Sequence, residues 1–330
     1  MNISNSVKKR FVKDYNLPIT LFRNDIFEYF MDLYDAHMGT SNKWNKLLEV
    51  IDALGGEEGY FNESSRIINE VTKEISEHPE YTRIQSMVLP VSNAPTIEKK
   101  NIYHPDFVGK LLISIDMRQA NFNSLRFLSP ELLRNADDYS SYLKNFTKHD
   151  YYLDSKQIRQ VIFGNLNPKR QQSVQKYIMS ETLILLLREF GDVLDVITTG
   201  PDEIIIVYNN SLGVYVYDII DKIVEALDGL SIKNCHKIHP FILEKVEGDK
   251  PFYVKIPYDI EGEISMANGL NIKSSYNSSE VEFKGVPSFF YAQVFKKYFK
   301  LPANDFDFLF YHEGHYAKFM SSVFEKFDAN

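Results

Sequence analysis

The chain has 330 residues, 44% of them hydrophobic and 25% charged, with a formal net charge of −8 at pH 7. This composition excludes disorder over most of the chain, and the acidic balance argues against broad, nonspecific binding of polyanions, which needs clustered Lys and Arg. The lone Cys235 excludes an internal disulfide and a zinc site of several thiolates. Since no apolar run approaches the roughly 20 residues of a membrane helix, we expect no membrane contact and a cytoplasmic location.

The N-terminal region, residues 1–86, is expected to be helical. Apolar residues recur at helical spacing in three stretches, so three helices are predicted. Gly55-Gly56 is predicted to end the second helix and His78-Pro79 the third. The following segment, 87–105, carries three prolines and little periodicity, which indicates a linker. The three helical stretches are 26–33, 44–51 and 67–75.

A strand followed by helices is predicted next. The apolar run over 110–115 stops at Asp116, as buried strands commonly do, and the helical spacing of 119–133 follows it. Helical periodicity returns over 150–190, where Pro168 suits the first turn of a helix. Asp116 is therefore expected where a strand passes into a helix.

Residues 192–208 predict a β-hairpin. Alternation over 192–199 and the β-branched run over 204–208 flank a turn that contains Asp202 and Glu203. A second turn is expected over 209–213, and 214–227 is a further strand or helix. The order of elements predicts an α+β fold, in which the helical N-terminal region precedes an antiparallel sheet with helices over 87–232.

Residues 233–330 are expected to form a mixed α/β extension. The pattern predicts a strand over 252–256 and helices over 288–299 and 316–327. His236 and His239 lie beside Cys235, but no fourth metal ligand is visible, so core and turn roles are favoured.

The acids at the strand ends carry the main functional hypothesis. If the strands that hold Asp116 and Asp202 are neighbours, their carboxylates converge at one edge of the sheet. Mg²⁺ prefers oxygen ligands and is often shared between carboxylates and substrate phosphates, so the pair suits this ion. Two such ions can stabilise the attacking and leaving oxygens of a phosphoryl transfer.

The residues around the first acid resemble the palm domain of family A DNA polymerases. In that family a strand ends in Asp and continues as D-x-x-Q-x-E on a helix. Asp116 and Gln119 match this pattern, whereas Asn121 replaces the Glu. The mostly helical thumb that precedes the palm in the family is similar to residues 1–86, which makes this region thumb-like and 87–232 palm-like.

Later motifs follow the family's order. The Ile-Phe-Gly of 162–164, the Pro, basic and Gln residues of 168–172, and Lys176 are similar to its next motif, and Pro201-Asp202-Glu203 is similar to its H-D-E turn. The fingers subdomain has no clear copy. The resemblance implies that Asp116 and Asp202 bind Mg²⁺ or Mn²⁺ with Glu203 in support, and that catalysis rests on these three acids.

The same resemblance implies the substrates. A nucleic-acid primer and a nucleoside triphosphate would be the partners of a nucleotidyltransferase, with Gln119, Arg170 and Lys176 as candidate substrate-binding residues.

The composition gives a separate indication of the source. Abundant Ile, Asn, Lys and Tyr are typical of AT-rich genomes such as many phages carry, so a viral protein in the host cytoplasm is also expected.

Two alternatives stay open. Missing fingers, Asn121 and Pro201 favour a palm fold kept as a noncatalytic binding or assembly component of a viral replication or transcription complex, for which protein partners are expected. In addition, Gly200-Pro201-Asp202-Glu203-Ile204 is similar to the G-G-D-E-F turn of diguanylate cyclases. That similarity implies a nucleotide cyclase that needs neither primer nor template.

Overall fold

The computed structural model describes residues 3–209, 216–229, 234–246, 252–258 and 281–319. Within these ranges a group of helices precedes a six-stranded antiparallel sheet with further helices, so the predicted α+β class is confirmed. No helix in the described part of the chain is both long enough and apolar enough to cross a membrane.

Five helices form the N-terminal region, and the three predicted ones correspond to α2, α3 and α4. The pattern missed α1, in which Ser4 caps the first turn, and the eight-residue α5, which buries only Ile84. Gly55 and Gly56 have φ values of 75° and 120°, and α3 ends just before them, as predicted. The helices are α1 (Asn5–Tyr15), α2 (Asn24–Met38), α3 (Thr40–Ala53), α4 (Glu57–Glu77) and α5 (Pro79–Ser86).

The central part of the chain follows the predicted order of elements. A strand precedes a series of helices, Pro168 begins the longest of them, and a hairpin follows. The segment that could be strand or helix is a helix, and the turn expected over 209–213 lies outside the described residues beyond 209. The elements are β1 (Leu111–Met117), α6 (Ala120–Leu128), α7 (Tyr139–Leu143), α8 (Asp150–Asp154), α9 (Lys156–Gly164), α10 (Pro168–Phe190), β2 (Leu194–Thr199), β3 (Glu203–Tyr208) and α11 (Val216–Asp228).

The C-terminal part adds strands and one α-helix among the described residues. The strand predicted over 252–256 and the helix predicted over 288–299 are confirmed as β5 and as a 3-10 turn that leads into α12. The elements are β4 (His236–Lys245), β5 (Tyr253–Pro257), β6 (Glu282–Lys284), α12 (Tyr291–Phe299), β7 (Leu309–His312) and β8 (His315–Lys318).

The helix predicted over 316–327 is wrong where the structure describes it. Residues 316–318 belong to β8, which pairs with β7, and residues from 320 onward lie outside the described part. Glu313 and Gly314 have φ values of 46° and 89°. Two successive positive φ values make the tight turn that joins hairpin strands, so the chain folds back at a position where the apolar spacing alone had indicated a helix.

The sheet has the strand order β2-β3-β1-β4-β5-β6, and every neighbouring pair is antiparallel. In its first four strands the chain passes from β1 through helices to the β2–β3 hairpin, then through α11 to β4, which is the split βαβ arrangement. Residues on both sides of 232, the expected boundary, therefore contribute strands to one sheet.

The two faces of the sheet are covered differently. Apolar side chains of alternate positions, such as Ile115 and Ile206, join the main core with α6, α10 and α11. On the opposite face a smaller core around Leu112, Ile205 and Phe241 is covered by Ile102 and neighbours from the segment before β1. This second face, which we call the open face, carries polar side chains toward the C-terminal end of β1.

The buried carboxylate of Asp14 ties four helices together. It lies near the end of α1 and accepts hydrogen bonds from the hydroxyls of Ser155 at 2.5 Å, Tyr151 at 2.6 Å and Tyr60 at 3.4 Å. The Arg10 guanidinium adds an ion pair at 3.1 Å. Because Tyr60 is on α4, Tyr151 is on α8 and Ser155 caps α9, this one side chain joins the N-terminal helices to the helices that precede the hairpin.

We expect Asp14→Ala to lower the free energy of unfolding by about 2–4 kcal/mol, because three buried hydroxyls and a guanidinium lose their acceptor. Denaturant titration measures the change. The matched control is Asp25→Ala, which breaks an ion pair with Arg23 that is about half exposed on both sides and should change stability little. Equal losses in the two variants would contradict a special role for Asp14.

Candidate functional site

Strand pairing brings the predicted acids together. Asp116, at the end of β1, is directly opposite Glu203, at the start of β3, and the backbone N–H of Met117 donates to the carbonyl of Asp202 at 2.8 Å. The strands that carry these acids are neighbours, which is the condition under which the sequence predicts that the carboxylates converge. The acids occupy the end of the neighbouring strands β1 and β3 that lies nearest the β2–β3 turn.

Local chemistry explains the tight turn that presents Asp202. The N–H of Gly200 donates to the carbonyl of Glu203 at 2.6 Å, which leaves Pro201 and Asp202 as the two central turn residues. Proline presets the φ of the first central position, and Asp is a favoured turn residue. Asp202 is accordingly exposed at the tip, whereas Glu203 and Asp116 are half-buried beside it.

Glu203 is held in place by two neighbours on the open face. Its Oε1 accepts a hydrogen bond from the Ser114 hydroxyl at 2.5 Å and lies 3.9 Å from the ammonium nitrogen of Lys255. Ser114 and Asp116 are two residues apart on β1 and therefore point to the same face. Lys255 reaches this position from β5 by crossing the ring of Phe241, with its Nζ 4.3 Å from the ring centroid.

Burial, followed by the negative charges of Glu203 and Asp202, raises the pKa of Asp116 to about 6. Lys255 and Lys237 act in the opposite direction. A bound cation would stabilise the ionised form of such a carboxylate, because it offsets both the burial and the repulsion from the two acidic neighbours that raise its pKa.

The donor set fits Mg²⁺ or Mn²⁺ in the company of a substrate. Asp116, Asp202 and Glu203 offer only carboxylate oxygens, which are the ligands that such hard cations prefer. Among the residues that the structure describes, no group of three or more His, Cys, Asp or Glu side chains is arranged as a complete metal site. Mg²⁺ commonly takes one or two protein carboxylates and completes its shell with water and phosphate oxygens, so two ligands suffice here.

Gln119, Arg170 and Lys176 lie in other surroundings. The Gln119 side-chain oxygen accepts from the backbone N–H of Tyr139 at 3.0 Å, and Arg170 donates to the carbonyl of Met87 at 2.5 Å. Lys176 is exposed on α10, the helix that packs on the sheet face opposite the acids. The structure does not bring these three to the carboxylates, and their substrate-binding roles stay predictions.

The histidines beside Cys235 do not form a common site. His236 and His239 are three residues apart on β4, so they point to opposite faces of the sheet. Burial lowers the pKa of each to about 4. His236 Nε2 lies 3.0 Å from the Thr182 hydroxyl on the helix side, and burial raises the pKa of the Cys235 thiol to about 12, which makes it a poor thiolate.

Sequence reasoning missed the basic side chains of this site. Lys237 is opposite Asp116, and His239 is opposite Ser114, because β4 pairs with β1. Alternation of these residues with Ile238 and Pro240 was the available signal for β4.

Comparisons with protein-family models, with curated proteins and with solved structures found no match.

We expect Asp116→Asn to stabilise the fold at high pH. The folded-state pKa of about 6 lies above the ordinary value of 3.8, so ionising Asp116 costs the folded protein stability as the pH rises from about 4 through 6. Allowing for partial exposure, the variant should exceed wild type by roughly 1–2 kcal/mol at about pH 8 and by almost nothing at about pH 4.

Denaturant titrations at both pH values measure this difference. Asp195→Asn is the matched control, since Asp195 is an exposed acid on β2 of the same sheet. A gain at pH 8 that persists unchanged at pH 4 would show that the ionised carboxylate is not its source.

Proposed function

We propose that the protein is a metal-dependent nucleotidyltransferase related to nucleic-acid polymerases, which acts on a nucleoside triphosphate and a nucleic-acid primer. The observation that carries this proposal is the pairing of Asp116 with Glu203 on the neighbouring strands β1 and β3, with Asp202 in the adjoining turn. All three acids lie on or beside the open face, which the segment before β1 covers only in part. An accessible group of carboxylates on a rigid sheet suits metal-assisted phosphoryl transfer.

The sheet order supports the palm resemblance on which this proposal draws. The split βαβ arrangement places the end of β1 next to the β2–β3 turn, so the two motif-bearing segments meet although the helices α6 to α10 separate them in sequence. The resemblance to the palm domain predicts acids at these two places, the end of β1 and the β2–β3 turn. Fold analogy alone does not assign an activity, so the proposal rests on the acids and their surroundings.

Each residue has a defined part in the proposed mechanism. Asp116 and Asp202 would hold the metal, while the Ser114 hydroxyl and Lys255 keep the carboxylate of Glu203 oriented beside them. When bound, the metal lowers the pKa of an attacking hydroxyl and neutralises negative charge on the phosphates. Asp116, with its pKa of about 6, is largely ionised at neutral pH and therefore ready to act as a ligand.

One observation favours a noncatalytic palm fold as the second candidate. Glu203 already has Lys255 at 3.9 Å as an internal counter-ion, and Asn121, which replaces the Glu of the palm pattern, accepts a hydrogen bond from Gln175 at 2.8 Å. In a binding or assembly component of a viral replication complex these contacts would serve stability alone. Binding of its partner would then be indifferent to Asp116 and Asp202.

Primer extension tests the proposal directly. We expect wild-type protein with primer-template, ribo- and deoxyribonucleoside triphosphates and Mn²⁺ to extend the primer, and Asp116→Asn and Asp202→Asn to be slower by about 100-fold or more, because a lost metal ligand removes several kcal/mol of transition-state stabilisation. Asp195→Asn should retain wild-type activity. A primer-independent nucleotide product would indicate cyclase-like chemistry instead.

The noncatalytic candidate predicts a different pattern. Circular dichroism first establishes that wild-type protein and Asp202→Asn are both folded. If neither protein then forms an extended primer or a free nucleotide product, nucleotidyl transfer is excluded and the noncatalytic role is favoured. Electrophoresis for primer length and chromatography for free nucleotides separate these outcomes in a single reaction.

Metal binding gives an independent measurement. Mn²⁺ at about tenfold above its Kd should stabilise wild type by about 1.4 kcal/mol, since it binds only the folded state. We expect Asp116→Asn to lose most of this stabilisation and Asp195→Asn to keep it. Thermal unfolding with and without Mn²⁺ measures the effect, and equal stabilisation of all three proteins would place the metal elsewhere.

A further inference from the structure

Three basic side chains converge on the open face beside the acids. Lys237 and His239 come from β4, and Lys255 comes from β5 with its ammonium group above Phe241. We call Lys237, His239 and Lys255 the basic strip. The positive charges of Lys237 and Lys255 are among the causes that lower the pKa of His239, so the three groups lie close to one another.

The donors of the basic strip lack acceptors among the residues that the structure describes. The ammonium of Lys255 belongs to a residue only 8% exposed, and it has Glu203 at 3.9 Å, beyond hydrogen-bond distance. The buried Nδ1 of His239 has no hydrogen-bond partner. A buried polar atom without a partner costs free energy, and a ligand that brings acceptor oxygens can pair with the Lys255 ammonium and with His239 when Nδ1 carries the ring proton.

Two other lysines in the C-terminal part of the described chain are paired more closely. On the neighbouring strand β6, Lys284 is 2.5 Å from Glu282, and Lys296 on α12 is 3.0 Å from Asp307. Lys237 is exposed and has no ion pair among the described residues. Lys237 and Lys255 therefore carry positive charge on the side of Asp116 that faces β4 and β5, and no described carboxylate lies within hydrogen-bond distance of either ammonium group.

We propose that the basic strip binds the phosphate groups of a nucleoside triphosphate, an inference that rests on the proposed function. A polyphosphate supplies many acceptor oxygens and a high negative charge. The carboxylates alone would repel it, but divalent cations held by Asp116 and Asp202 give the site a net positive charge, and the strip then contacts the remaining phosphate oxygens.

This assignment orients the substrates. With the triphosphate over β4 and β5, the primer hydroxyl approaches from the opposite side of the acids, above the β2–β3 hairpin. The basic strip, which lies on the sheet, would then bind the phosphates in place of the basic residues on α10 that the sequence had indicated. Arg170 and Lys176 lie on the helix that covers the other face of the sheet.

The test isolates the strip from metal binding. In EDTA, the Asp116→Asn/Asp202→Asn double variant, which lacks two of the repelling charges, is titrated calorimetrically with inorganic tripolyphosphate. We expect binding that weakens by at least about tenfold when Lys237→Gln or Lys255→Met is added, the effect of losing one charge-assisted contact. Lys237 is exposed, so its variant should fold even if Lys255→Met does not.

Lys222→Gln is the matched control, since Lys222 is an exposed lysine on α11, which packs on the opposite face of the sheet, and it should change the Kd by less than about twofold. Absence of tripolyphosphate binding, or binding that ignores Lys237→Gln and Lys255→Met, would overturn the assignment. Strip-dependent binding of a single-stranded oligonucleotide without binding of tripolyphosphate would also overturn it, because the strip would then contact a nucleic-acid backbone.

The activity assay separates failure of this inference from failure of the proposed function. Primer extension by wild type that persists undiminished in Lys237→Gln would leave the function standing and remove the strip from it. Strip-dependent tripolyphosphate binding in a protein that forms no product would support the phosphate site and contradict nucleotidyl transfer.

Discussion

The antiparallel pairing of β1 with β3 is the constraint on which the rest of the structure depends. It sets Asp116 opposite Glu203 and, in the same register, buries Ile113, Ile115 and their partners against the helices. A slip by one residue would move the apolar side chains to the open face and the acids into the core. The free energy of the core therefore holds the acids in position.

This arrangement concentrates electrostatic strain at one edge of the sheet. Asp116 has a raised pKa because it is partly buried beside two further acids. The Ser114 hydroxyl and the ammonium of Lys255 offset the repulsion only at Glu203. Such a site is less stable than a neutral one would be, and sites of this kind are typically retained for binding or catalysis.

The local elements around the acids could be predicted because their signals are short-range. An apolar run before Asp116, turn residues at 200–203 and a proline at the start of α10 each act within a few residues. The missed elements had weak local patterns: α5 buries a single side chain, and β4 mixes Lys and His with apolar residues. The start of the helix expected over 316–327 is wrong, because a two-residue turn at Glu313-Gly314 folds residues 315–318 back as a strand.

The sequence by itself determined that the chain is α+β, that Asp116 lies at the end of a strand, and that Asp202 lies in a hairpin turn with Glu203 directly after it, because periodicity and turn chemistry are encoded locally. Only the tertiary structure decided that β1 lies between β3 and β4, which puts the acids on the open face and Lys237, His239 and Lys255 beside them. Pairing between strands so distant in sequence depends on how apolar faces pack together, and no local pattern specifies which strands become neighbours.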